Sequence, residues 1–169
     1  MQFNKNYIFI VFILGILLLY SYYYYIQKNP KFMELWGKIK PPFIYVYYIS
    51  MLLSAIGFLL FFYYLFLSNS FNSEQINKLF IALILILVIS MFWMPLSFNY
   101  LKNKNNLNKI LVLITLFLVT LSILYLLYVL YNVNETKYKF NKELGFYGML
   151  YFFIHCFFLD FITWSYNFF

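Results

Sequence analysis

The stretch Ile81–Phe98, IALILILVISMFWMPLSF, decides the fold. It carries no charge, and roughly 20 helical residues rising about 1.5 Å each cover the hydrocarbon core of a bilayer. The stretch therefore predicts a membrane span. Its far end combines Trp93, Pro95 and two serines, and Ser90, Trp93 and Ser97 share one helical face by their spacing of three and four. That face is expected to meet protein or ligand, not lipid. Pro95 predicts either a kink, freeing a carbonyl one turn back for Ser97 or a neighbouring helix to satisfy, or the ordinary end of the helix.

Working outward, the composition says the same of the rest of the chain. With 65% apolar, 27% aromatic and only 10% charged positions in 169 residues, the chain cannot clothe a water-soluble core in a polar surface. The lipid bilayer must be its solvent. The fold class expected is an all-α polytopic membrane protein, a bundle of five transmembrane helices in one domain over residues 1–169, with spans near 7–26, 43–67, 79–98, 110–133 and 144–168. All 12 basic residues are lysine, and Phe, Tyr, Ile, Asn and Lys abound, as in coding from AT-rich codons. Single tyrosines and phenylalanines are therefore weak signals, whereas the three tryptophans carry more. The net charge of +7 sits in short connections beside the spans, which suits anionic headgroups. Without arginine for bidentate contacts, nucleic acid is not an expected partner. A single cysteine, Cys156, excludes an internal disulfide and a multi-cysteine zinc site.

The first span ends in Tyr22–Tyr25, whose amphipathic rings favour the headgroup level, and it exceeds a signal-peptide core. The connection 27–42 is the longest and holds Trp36 and the pair Pro41-Pro42, which must end one helix and can open the next. In the second span Ser50, Ser54 and Gly57 form a row of small residues that admits another helix, or else a wall facing a ligand. Asn72 or Ser73 offers an N-cap for the third span, with Glu74 in its first turn. Residues 99–109 read as a polar connection. In the fourth span Thr115, Thr120 and Ser122 are expected to back-bond to their own helix. The connection after it contains the sequon Asn134-Glu135-Thr136, held close to the bilayer by its shortness. Lysine counting places the first connection and the C-terminus on the cytoplasmic side, by Lys28, Lys31, Lys38, Lys40, Lys102, Lys104 and Lys109 against Lys5, Lys78, Lys137, Lys139 and Lys142.

The fifth span holds the only histidine and the only aspartate. Cys156, Asp160, Thr163, Trp164 and Asn167 recur at helical spacing, so this face should point inward, because an ionisable group is rarely lipid-facing. His155 and Asp160 are five residues apart, about 140° around an α-helix, and are not expected to act as a pair. His155 reads either as a polar residue bonded to a neighbouring helix or as an axial ligand of a haem-like iron. No glycine-rich phosphate loop, paired carboxylate or nucleophile beside a base is visible, so no enzyme, metal or obligatory cofactor is expected.

Against this reading, Trp93-x-Pro95-Leu96-x-Phe98 resembles the third-span sequence of the translocator or tryptophan-rich sensory protein (TspO/MBR) family. Leu159-Asp160-x-x-x-Trp164-x-x-Asn167 keeps the spacing of that family's fifth-span Leu-Asn-x-x-x-Trp-x-x-Asn, with aspartate for asparagine. Trp36 with Lys40-Pro41-Pro42 resembles its first connection, compressed, and Ser54-Ala55-x-Gly57 its second-span signature. The resemblance covers the whole chain in topology and four short patches in identity, and most family tryptophans are missing. It implies a cavity between five helices, covered by the first connection, that binds a hydrophobic small molecule such as a porphyrin, haem, sterol or lipid, with transport or sensing as its outcome. On it Trp93, Pro95 and Trp164 would flank the ligand, Asp160 and Asn167 would supply polar contacts, Trp36, Pro41 and Pro42 would form a lid, and homodimers would form. The competing reading is a small assembly protein that packs with partner membrane proteins and has no small-molecule ligand.

Overall fold

The structure, a computed structural model, describes residues 5–169. Five long helices follow one another: α1 (Lys5–Lys28), α2 (Phe43–Leu67), α3 (Ser73–Lys102), α4 (Asn106–Tyr131) and α5 (Lys139–Phe168), with a short 3₁₀ turn at Phe32–Trp36 between the first two. No strand occurs among the described residues. Each helix is long and apolar enough to cross a membrane, so the five-span all-α bundle is the fold observed.

The helix ends follow local chemistry. Pro41-Pro42 stands directly before α2, where a missing amide donor costs nothing. Asn72 caps α3 by accepting from the Gln75 amide at 2.7 Å while Gln75 reaches back to the Asn72 amide at 3.0 Å. Asn105 caps α4 through the Asn108 amide in the same way. The helices outrun the apolar runs. Residues 99–102 stay helical and the next helix starts at Asn106, so the expected connection of 99–109 shrinks to residues 103–105. Pro95 does not terminate α3, which continues seven residues beyond it. The carbonyl it frees, that of Met91, accepts from Ser21 Oγ of α1 at 3.5 Å, and the Ser90 carbonyl accepts from Tyr22 at 3.2 Å. The neighbouring helix therefore satisfies the freed carbonyl, and Ser97 does not.

Around the bundle α1 packs on α3, α3 on α4, α4 on α5 and α5 on α2. The circle stays open between α2 and α1. A close seam joins α2 and α5, where Gly57 meets Gly148: a Cβ on Gly148 would sit 2.6 Å from the Gly57 Cα. The small-residue row of α2 thus serves close helix packing at Gly57. On α4, Thr115, Thr120 and Ser122 each donate to the carbonyl four residues back at 2.8–2.9 Å.

The connection from α4 to α5 is tied by Glu135, which is buried although the loop around it is exposed. Ser68 Oγ and Tyr64 Oη of α2's far end donate to one carboxylate oxygen, and the Lys137 and Tyr138 amides donate to the other at 3.1 Å. Burial alone would raise its pKa; the Ser68, Tyr138, Ser70 and Tyr64 hydrogen bonds outweigh burial and hold it below the ordinary carboxylate value.

Candidate functional site

Because α1 leans on α3 and barely touches α2, the five helices enclose a cavity of about 650 Å³ instead of a closed core. Phe12, Ile16 and Leu19 of α1 and Met51 and Leu59 of α2 line it and are also exposed, so it opens sideways between these two helices. The 3₁₀ turn contributes Phe32, Leu35 and Trp36. The volume lies within the range of small-molecule sites, and the walls are mainly aliphatic and aromatic with few polar groups.

The two ionisable groups among them that are not tyrosine or cysteine, His155 and Asp160, both sit on α5, and they are brought together because the helix changes its winding. Residues His155–Trp164 form a π-helix. Thr163 Oγ1 donates to the Phe158 carbonyl at 2.7 Å, five residues back, where the hydroxyls of α4 reach back four. Bonds over five residues place positions five apart one above the other. His155 Nε2 consequently stands 3.5 Å from Asp160 Oδ2, and the expectation that these two residues diverge is overturned. On its other side His155 Nδ1 is 2.8 Å from Ser50 Oγ, which also meets Tyr151 Oη at 3.0 Å. Tyr151, Ser50, His155 and Asp160 thus form one polar line across the α2–α5 seam, and His155, Cys156 and Asp160 face the cavity.

At the end of the cavity beside the first connection the tryptophans converge. The Trp93 and Trp164 rings lie 5.3 Å apart at 66°, and Tyr22 packs on Trp93 at 5.6 Å. Trp164 is buried and stacks on Phe168 at 4.3 Å. Its indole Nε1 donates to the Leu35 carbonyl at 2.8 Å, which fixes the connection to the bundle. The same connection is held where the Lys38 amide donates to the Asn167 carbonyl at 3.0 Å. Gly37, with φ +53°, passes so close to Asn167 and Phe168 that a side chain there would collide with their backbone.

Trp36, Trp93, Asp160 and Trp164, all expected beside a ligand, do line this cavity. Pro41, Pro42, Pro95 and Asn167 do not. Pro41 and Pro42 are exposed and serve the start of α2, and Pro95 lies within α3 and leaves the Met91 carbonyl to Ser21. The Asn167 amide donates back to the Thr163 carbonyl at 2.8 Å. Sequence reasoning missed Tyr47, whose hydroxyl donates to the Leu159 carbonyl at 2.7 Å, and the pairing of Ser50 with His155. A π-wound segment leaves no signal in a 3.6-residue period, so neither was legible.

The site does not fit iron ligation by His155, since both of its ring nitrogens already have polar neighbours, Ser50 on one side and Asp160 on the other. No group of three His, Cys, Asp or Glu able to hold a metal ion occurs among the described residues. What the arrangement can do is hold a mostly apolar molecule between aromatic faces. No family model, no curated protein and no solved structure matches the chain. The fold and its five apolar helices make this a multi-pass integral membrane protein.

Proposed function

We propose that this protein is a translocator-like membrane protein that binds a flat, mostly apolar molecule of the porphyrin, sterol or lipid kind between its helices. The observation that carries the reading is the cavity of about 650 Å³ with Trp93 and Trp164 5.3 Å apart in its wall and Trp36 lining it as well. Aromatic faces with a few fixed polar groups are what a flat hydrophobic ligand needs from a site. The opening between α1 and α2 faces the acyl chains, the phase in which such a molecule dissolves.

The test is tryptophan quenching in detergent-solubilised protein, titrated with protoporphyrin, its dimethyl ester and cholesterol. Saturable quenching by at least one of them is expected, weakened about fivefold by Trp93→Phe, which keeps an aromatic ring but removes the indole N–H and part of the stacking face, worth about 1 kcal/mol. Absence of saturable binding for all three overturns the reading and leaves the assembly protein in its place.

A further inference from the structure

Two buried polar atoms of the cavity wall stand out by having no hydrogen-bond partner among the described residues: Ser54 Oγ on α2 and Trp93 Nε1 on α3. The hydroxyls of Thr115, Thr120 and Ser122 turn back on α4, as buried helical hydroxyls ordinarily do, whereas Ser54, 3% exposed, does not turn back on α2. Trp93 has no such local option, because an indole N–H can only donate. A buried donor left unmet costs more than a made hydrogen bond contributes, so both atoms call for an acceptor from whatever fills the space. Ser97 Oγ is also unpartnered but does not line the cavity.

The charge of the wall narrows the class further. Its only acid is Asp160 and its only imidazole is His155, and no lysine lines it. With no arginine anywhere in the chain, a buried ligand carboxylate would find no cation in the wall and would face an aspartate.

We infer that the ligand is an uncharged, mostly apolar molecule carrying oxygen acceptors, carbonyl, ester or hydroxyl, that meet both the Ser54 hydroxyl and the Trp93 indole N–H. Molecules with free carboxylates are rejected. This rests on the cavity reading above and deepens it by naming which of the flat ligands the site takes.

Protoporphyrin and protoporphyrin dimethyl ester share one ring and differ in whether the two carboxyl groups are free, so the pair isolates the charge. Binding is followed by Soret absorbance and corrected for empty micelles. The ester is expected to bind at least about tenfold more tightly than the free acid. Ser54→Ala and Trp93→Phe should each weaken the ester about fivefold, the loss of one hydrogen bond, while Ser97→Ala leaves it unchanged. Ser54→Ala removes one atom from a packed helix and keeps the test open if Trp93→Phe unfolds. Equal or tighter binding of the free acid, or ester binding indifferent to Ser54→Ala, overturns this inference alone. Failure of both probes and of cholesterol to bind overturns it together with the cavity reading.

Discussion

Helices α4 and α5 lie side by side, and they handle polar groups in opposite ways. In α4 the winding stays regular and the buried hydroxyls of Thr115, Thr120 and Ser122 each close on their own backbone, so none of the three is offered to a neighbour. In α5 the π-wound stretch sets His155 over Asp160, both facing the cavity, and the polar line runs on from His155 to Ser50 and Tyr151. The difference teaches that in lipid a polar side chain is informative only when its partner lies on another element. One that satisfies its own helix is silent.

Four changes break or sharpen this contrast. The largest effect is expected at the seam that holds α5 in place: Gly148→Leu drives a side chain into the Gly57 backbone and should cost at least about 3 kcal/mol, seen as loss of the monodisperse, thermally stable species. Glu135→Ala, in the loop joining the two helices, orphans Ser68, Tyr64 and two amides and should cost about 2–3 kcal/mol by thermal unfolding. Because the folded-state pKa of Glu135 is depressed, its contribution is fully present above the unfolded-state carboxylate value and is lost as the pH falls through the folded one. Stability of the wild type should therefore drop on acidification, and Glu135→Gln should flatten that limb of the profile. Third, His155→Leu removes the centre of the polar line and should cost about 1–2 kcal/mol. The smallest effect belongs to α4, where Ser122→Ala should shift stability by no more than about 0.5 kcal/mol. A Ser122→Ala effect as large as that of His155→Leu would erase the distinction between the two helices.

Hydropathy and proline made most of the bundle readable. Pro41-Pro42 and the apolar run after it mark α2 to the residue, and Asn72 announces α3. Where apolarity and helicity part company, the reading stopped short, as at residues 99–102, where Asn99 and Lys102 are polar yet continue α3. Half of the expected site residues line the cavity, because Trp36, Trp93, Asp160 and Trp164 are rare residues in a biased composition and rarity marked them. Asn167 was misjudged since its place on the inward face did not reveal that its amide would bond back to Thr163. The His155–Asp160 pair was hidden by the assumption of α-helical winding, under which the two point apart.

Gly15 gives the most direct test of the central claim, that the space between the helices is a ligand site. It lines the cavity on α1, and a Cβ there meets nothing within 4 Å, so Gly15→Phe starts a bulky side chain from open space at the cavity wall. Replacing a mid-helix glycine should leave thermal stability equal to or above that of the wild type. Measured by the same titration with protoporphyrin dimethyl ester, a well-folded Gly15→Phe protein is predicted to lose saturable binding. Wild-type affinity in that variant would contradict the account.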